Sequence, residues 1–214
     1  MRARFSPRRA ALRAGALAGA IAAGSIGAAS AASAQASPPA ISGRCTVQFF
    51  GTSSLHDFDG EAPCARLEIT APDGEGRYGA RAEVEIAQMK TGISARDRKM
   101  REMFDAKRFP RITATFTQLA PRAIRARAPA ALPFRVQVHG VEKSVTPKLS
   151  RYSETAGGRA RLRAEFDLTL QDFGLEPPVA MGFIRVGDQV HVVVDVELEA
   201  KAAPDAPATS ATDR

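Results

Sequence analysis

Strict alternation of apolar and polar residues runs through most of this chain, and it limits the possible folds more than any other feature. In residues 160–170, alanine, leucine and phenylalanine at even positions alternate with charged residues or threonine at odd positions. The same period recurs in residues 78–86, 112–117, 132–138 and 190–198. Because successive side chains of a strand point to opposite faces, each segment predicts a strand with one dry and one wet face, as in antiparallel sheets.

Turn signals separate these strands, at Asp73-Gly74, Gly157-Gly158 and Gly187-Asp188. Weaker strand patterns occupy five further segments, residues 44–52, 55–61, 64–71, 122–128 and 141–149. Eight to ten strands, each with one apolar face, most simply close into a barrel or stack as a sandwich. The pattern therefore predicts an all-β domain.

Helical periodicity occurs in a single segment. Met100, Met103 and Phe104 lie on one helical face, and Ser94 followed by Asp97 has the pattern of a capping box. The pattern ends at Phe109, because a residue that precedes proline disfavours the helical conformation. We predict one short helix that closes one end of the β domain.

The first 36 residues have the composition of an export signal. Five arginines between Arg2 and Arg13 precede an uncharged stretch, residues 14–36, that ends in two overlapping A-x-A cleavage sites. A transmembrane anchor is the alternative, but alanine and glycine dominate the stretch, and such a helix inserts weakly. We expect cleavage and a periplasmic or secreted mature protein, by either the general or the twin-arginine route.

Charge and composition divide the chain into three parts. The net charge is +7, but five of the 30 basic residues lie in residues 1–36, which leaves 25 against 23 acidic residues. This nearly balanced remainder does not indicate a nucleic-acid partner. Residues 201–214, rich in alanine, proline, threonine and serine, are predicted to be disordered. The β domain then comprises residues 37–200.

Cys45 and Cys64, the two cysteines of the chain, are predicted to form a disulfide. Disulfides persist in exported proteins, and a hairpin centred between Ser54 and Leu55 places the two cysteines opposite each other. A bridge that closes a loop of this length contributes about 3 kcal/mol to stability. Two buried free thiols are the alternative, and nothing resembles a redox CxxC or a zinc site.

No catalytic motif is present, whether nucleophile elbow, P-loop, HExxH or dinucleotide fingerprint. His56, Asp57 and Asp59 could form a small metal cluster with His139 or His191. However, His139 and His191 occupy polar positions of their strands, where a solvated side chain is the simpler interpretation. We therefore predict a protein that is not an enzyme and has no metal site.

Four blocks, taken together and in this order, resemble the YceI-like family. They are residues 95–100 (ARDRKM), 104–116 (FDAKRFPRITATF), 136–145 (VQVHGVEKSV) and 166–175 (FDLTLQDFGL). The resemblance covers roughly residues 43–200. It implies an extended, lipocalin-like antiparallel β-barrel whose apolar interior holds a polyisoprenoid chain, such as a quinone tail.

With the strand count, this resemblance predicts a single antiparallel lipocalin-like β-barrel of about eight strands with one short helix. The implied function is that of an exported, non-catalytic binding protein for a long-chain isoprenoid or other apolar small molecule. A bound isoprenoid lipid or quinone is the only cofactor expected, and a membrane is its potential source. A barrel with a self-filled core, acting as a structural or protein-interaction module, is the alternative, and homodimer formation is left open.

Candidate ligand-contacting residues are the strongly apolar side chains on the dry faces of the strands, which must point together into whatever the barrel encloses. The helix adds side chains that would close one end, including methionines, which adapt to a flexible chain. The candidates are Val84, Ile86, Met100, Met103, Phe104, Phe116, Phe134, Val136, Phe166, Leu168, Val192 and Val194.

Overall fold

The computed structural model describes residues 41–127, 132–155 and 159–200. These residues form eleven β-strands and two short α-helices, α1 (Ser94–Met103) and α2 (Pro121–Arg125). The strands are β1 (Ile41–Ser53), β2 (Phe58–Pro63), β3 (Arg66–Ile69), β4 (Tyr78–Glu85), β5 (Arg111–Leu119), β6 (Phe134–Val138), β7 (Val141–Val145), β8 (Lys148–Glu154), β9 (Arg159–Thr169), β10 (Val179–Ala180) and β11 (Ile184–Ala200). The predicted export signal and C-terminal tail lie outside the described residues.

The strands form two antiparallel sheets. Sheet I has the order β2-β1-β11-β9-β8, with β10 paired to β11, and sheet II has the order β3-β4-β5-β6-β7. In sheet I, β1 and β11 pair over most of their length, from Ile41 opposite Ala200 to Gly51 opposite Val190. The prediction of an antiparallel all-β fold is therefore confirmed.

The chain passes from one sheet to the other at two corners. At the first corner the Cys64 amide donates to the Cys45 carbonyl of β1 at 2.9 Å, and the Ala65 amide donates to the Glu83 carbonyl of β4 at 2.8 Å. At the second corner, only Thr146 and Pro147 separate β7 from β8. Over the described residues, backbone pairing thus gives two sheets joined at corners rather than the single closed barrel that was predicted.

Two of the predicted weak strands are corrected. In the segment 122–128, predicted as a weak strand, residues 122–125 instead belong to α2, because Pro121 has a φ angle suited to the first turn of a helix, and residue 128 lies outside the described residues. The predicted strand 141–149 is divided in two near Pro147, which has no amide hydrogen to donate. The described residues therefore contain eleven strands and two helices, not about eight strands and one helix.

The predicted turn at Gly187-Asp188 lies inside β11. A Cβ at Gly187 would collide with the Thr52 hydroxyl of β1. The pairing of β1 with β11 shifts register here, between Gly51 and Ser53. Glycine at this position thus marks a close approach of two strands at a bulge, rather than a chain reversal.

The predicted capping box of α1 is wrong. The helix begins at Ser94 itself, so this residue is one position too late to cap it, and no side chain caps the helix. The Asp97 carboxylate instead accepts hydrogen bonds from the Thr91 amide at 2.8 Å and from the Thr91 hydroxyl at 2.7 Å. Asp97 therefore holds α1 against the loop that precedes it.

The predicted disulfide is confirmed: Cys45 and Cys64 are bonded, with their Cα atoms 5.2 Å apart. The register of β1 with β2, including Gly51 opposite Phe58, places the hairpin centre between Ser54 and Leu55, as predicted. The bridge lies at the first corner, where the chain leaves sheet I for sheet II. It therefore fastens the corner that brings the two sheets together.

Removing the bridge with the Cys45→Ala and Cys64→Ala double substitution is expected to lower the free energy of unfolding by about 3 kcal/mol, because the unfolded chain regains the freedom of a closed loop. Denaturant unfolding of the variant and of the wild type measures the difference. Wild type under reducing conditions is the control and should match the variant. Peptide mapping that finds both cysteines alkylated without prior reduction would contradict the prediction.

The larger of two buried apolar clusters extends from strands β1, β2, β4 and β6 to α1. Ile86, Phe173 and Leu175 are almost completely buried in this cluster, which also includes Met100 and Phe104. A second, smaller cluster near α2 consists of Ala123, Leu132 and Leu149.

None of the helices in the described ranges has the length and hydropathy needed to cross a membrane.

Candidate functional site

A cavity of about 950 Å³ lies between the inner faces of the two sheets. Alternate side chains of β11 line it from Ile184 and Val186, near α1, to Leu198 and Ala200 at the other end. A strand rises about 3.3 Å per residue, so the cavity follows the strand for about 50 Å. The space is therefore long, and its apolar lining follows directly from the period-two pattern of the strands.

Eleven of the twelve predicted ligand-contacting residues line this cavity. They are Val84, Met100, Met103, Phe104, Phe116, Phe134, Val136, Phe166, Leu168, Val192 and Val194. Ile86 is the exception, because the strand period ends at Glu85 and Ile86 begins a single 3-10 turn, where its side chain is completely buried in the packed cluster. Contact of the eleven with a ligand stays a prediction.

Small side chains create much of the space, and sequence reasoning did not select them. Ala82 of β4 lies opposite Ala114 of β5, and Ala114 lies opposite Val136 of β6. Ala164 of β9 lies opposite Val194 of β11. All five residues line the cavity. The alanines share the period-two phase of the selected residues, and that phase was the signal that could have identified them.

An aromatic trio joins the two sheets across the interior. The rings of Phe116 and Phe134 are stacked with centroids 4.7 Å apart, and both belong to sheet II. The Phe134 ring then meets the Phe166 ring of sheet I edge-on, at 5.1 Å. Such pairs stabilise a fold beyond their buried area. The trio therefore connects the two sheets and forms part of the cavity wall.

Polar lining groups in the described part of the chain occur towards the two ends of the cavity. The end of the cavity opposite to α1 lies beside α2 and is called the α2 end. There the Tyr152 hydroxyl donates to Glu154 Oε2 at 2.8 Å. The Arg125 guanidinium donates to the same carboxylate at 3.1 and 3.3 Å. Burial, together with Glu154, raises the pKa of Tyr152, and Arg125 lowers the pKa of Glu154. This end therefore carries a charged pair and a neutral hydroxyl.

The α1 end carries most of the basic lining residues. The Arg96 guanidinium lies over the Phe58 ring, 4.8 Å from its centroid, and is 3.5 Å from His56 Nε2. Lys99 pairs with Glu102 at 2.8 Å, and Arg98 is exposed at the cavity edge. Arg96 thereby connects α1 to the hairpin between β1 and β2.

The three histidines have separate surroundings. His56 contacts Arg96, and His139 Nδ1 is 3.4 Å from the Phe173 carbonyl. His191 Nδ1 is 2.8 Å from an Asp167 carboxylate oxygen, on the face of β11 that points away from the cavity. Among residues 41–127, 132–155 and 159–200, no three His, Cys, Asp or Glu side chains are grouped to hold a metal ion.

With this geometry established, comparison with known proteins identifies the family. A family model for the YceI-like domain matches residues 39–198, which is most of the chain. The chain belongs to the YceI-like family. The resemblance inferred from the four sequence blocks is thus confirmed, and the two sheets with their interior cavity are the YceI-like domain of this protein.

Solved structures support the fold of this YceI-like protein. A polyisoprenoid binding domain from Saccharophagus degradans, implicated in plant cell wall breakdown, matches with a TM-score of 0.57 and 16% identity, covering 76% of this chain and 99% of that domain. BcnA from Burkholderia cenocepacia matches with a TM-score of 0.54 and 13% identity, covering 72% of this chain and 95% of BcnA. A search of curated proteins gave no sequence match.

Proposed function

We propose that this YceI-like protein is a non-catalytic binding protein that holds a long apolar amphiphile, of the polyisoprenoid class, in its cavity. The cavity itself is the observation that carries the proposal. Its 950 Å³ lie near the upper end of the roughly 300–1,000 Å³ typical of small-molecule sites. In this proposal the two sheets act together as a lipocalin-like barrel around the ligand.

The shape and polarity of the cavity favour a chain-like ligand. Its middle is lined by apolar side chains from both sheets, and polar groups such as Tyr152 and Arg96 lie towards the ends. Each buried methylene contributes about 0.8 kcal/mol, so a long hydrocarbon binds without a charged site. Water would find few hydrogen-bonding partners in the middle. An amphiphile with one polar head and a long apolar tail matches this distribution.

The comparisons support the same ligand class. The Saccharophagus degradans neighbour is described as a polyisoprenoid binding domain, and it shares the fold with this chain. The alternative, a self-filled core, is favoured by the aromatic trio of Phe116, Phe134 and Phe166, which packs across the interior. We favour the binding function because the trio occupies one part of an interior that stays open on either side along β11.

Mass spectrometry of an organic extract tests the proposal. The protein is purified from its host without detergent, extracted with solvent, and compared with an extract of a similarly purified protein that binds no lipid. We expect an isoprenoid lipid or quinone near one equivalent. A protein that carries no lipid, and that takes up no polyprenol added from ethanol, would support the self-filled core instead.

We also propose that the protein acts outside the cytoplasm, after cleavage of residues 1–36. The composition of those residues and the disulfide between Cys45 and Cys64 both support an oxidising compartment. The mature chain is expected to begin near Gln35 or Ser37, where the small-residue cleavage sites lie. N-terminal sequencing of protein from the host measures this, and a chain that retains Met1 would refute it.

A further inference from the structure

Exposed apolar side chains gather at the α1 end of the cavity. Seven large apolar side chains are exposed among the described residues, and Met181 and Phe183 are the most exposed, at 81% and 68%. A single exposed apolar side chain is ordinary, but a cluster of exposed apolar side chains at one place indicates an interaction site. Five of the seven lie at this end: Leu55, Ile93, Val179, Met181 and Phe183.

Three chain segments bring these side chains together. The hairpin of β10 and β11 turns at residues 181–183, with Val179 opposite Arg185. The Arg185 amide donates to Ser54 Oγ at 3.1 Å, and the Ser54 amide donates to the Arg185 carbonyl at 2.9 Å, so the β1–β2 turn lies beside this hairpin. The contact between His56 and Arg96 adds the first turns of α1.

These segments border the cavity rather than a separate surface. We define the mouth rim as residues 54–56, 93–99 and 179–185. Ile93, Val179 and Met181 line the cavity although they are exposed, while Leu55 and Phe183 do not line it. The mouth rim therefore presents apolar side chains both into the cavity and away from it.

Positive charge accompanies the apolar side chains. Arg98 and Arg185 are exposed, and within the described ranges neither forms an ion pair with a carboxylate. The mouth rim itself contains four basic residues and one acidic residue, Asp97, whose carboxylate accepts two hydrogen bonds from Thr91. Exposed apolar side chains beside arginines that form no ion pair are typical of surfaces that bind the interface of an anionic lipid bilayer.

We propose that the mouth rim docks on an anionic bilayer, with Met181 and Phe183 inserted among the lipids and Arg98 and Arg185 at the headgroups. Docking there opens the cavity directly onto the membrane, from which the amphiphile passes into the apolar interior. This inference rests on the proposed function for the identity of the cargo. The docking itself is carried by the exposure and charge of the mouth rim.

Vesicle flotation tests the docking. The purified protein is mixed with vesicles of equal parts phosphatidylglycerol and phosphatidylcholine, and with vesicles of phosphatidylcholine alone. We expect binding to the anionic vesicles that weakens at high salt. The Met181→Ser and Phe183→Ser double variant should partition about tenfold more weakly or worse. The Arg98→Gln and Arg185→Gln double variant should lose the preference for anionic vesicles.

Phe50→Ser is the matched control. Phe50 is also exposed but lies on the outer face of sheet I against His191, so this variant should float like the wild type. Wild-type protein that does not float with anionic vesicles would refute docking, as would a Met181 and Phe183 variant that floats unchanged. Light scattering that shows a wild-type dimer dissociated by that double variant would assign the mouth rim to a second copy instead.

Uptake of a fluorescent polyprenol separates this inference from the proposed function. Leu55 and Phe183 are exposed and do not line the cavity, so polyprenol added from ethanol should enter the wild type and a Leu55→Ser and Phe183→Ser double variant equally. Uptake from anionic vesicles should slow only in this variant. Equal rates from vesicles would refute docking as the loading step. No uptake from either source, with flotation intact, would refute the proposed cargo and leave the docking surface standing.

Discussion

Ala114→Phe is expected to remove most of the bound lipid while leaving the ligand-free protein at least as stable as the wild type. Ala114 lies in the middle of β5 and lines the cavity between Ala82 and Val136 in register. A phenyl ring there occupies space that the ligand needs. In the ligand-free protein the added ring buries apolar area, at about 25 cal/mol per Å², without displacing other side chains.

The same substitution has the opposite effect if the interior is self-filled. Forcing extra atoms into a packed core costs about 1–3 kcal/mol. The sign of the change in unfolding free energy, measured on delipidated protein, therefore distinguishes an open cavity from a core. Lipid content, measured by mass spectrometry, is the second measurement. It should fall about tenfold or more, because the ring occupies space in which the hydrocarbon chain of the ligand would be buried.

Ala123→Phe is the matched control. Ala123 is buried in the small cluster with Leu132 and Leu149, and it does not line the cavity. The larger side chain should overpack that cluster and lower stability by about 1–3 kcal/mol. Lipid content should fall far less than in Ala114→Phe, because the added ring packs against Leu132 and Leu149 and does not itself lie in the cavity. An Ala114 variant that behaves like the Ala123 variant, less stable and still loaded with lipid, would contradict the open cavity.

The residues that line the cavity were largely predictable from the sequence, because the strand period alone decides which side chains share a face. Phe166 and Leu168 in β9, and Val192 and Val194 in β11, hold the same phase, and all four line the cavity. Ile86 shows where this reasoning ends. Its position keeps the phase of β4, but the backbone has already entered a 3-10 turn.

The enclosure and its mouth were not predictable, because they depend on contacts between distant parts of the chain. The period of a strand does not say which strand it pairs with, so two sheets joined at corners and one closed barrel share the same pattern. The sequence around Gly187 predicts a turn. Only the contact of Gly187 with Thr52 of the paired strand shows that it lies inside a strand. Likewise Met181 and Phe183 carry no local signal, and only the pairing of Arg185 with Ser54 places them at the cavity.

Empty space beside packed side chains has a further energetic consequence at Phe134. Its side chain is 4% exposed, stacks on Phe116 and meets Phe166 edge-on, so it belongs to the packed trio while also lining the cavity. Truncating a buried phenylalanine normally costs about 3–5 kcal/mol because the new void stays empty. At Phe134, however, the void would open into the ligand's own cavity.

Phe134→Ala is therefore expected to cost about 3–5 kcal/mol in delipidated protein and clearly less in lipid-loaded protein, where the flexible ligand enters the vacated volume. Denaturant unfolding of both forms, beside Phe50→Ala as an exposed phenylalanine control with a small cost in each, measures the difference. Equal losses with and without lipid would mean that the trio packs a core the ligand never reaches. A smaller loss with lipid would instead place Phe134 in the wall that the ligand touches, since only direct contact lets a ligand replace the missing ring.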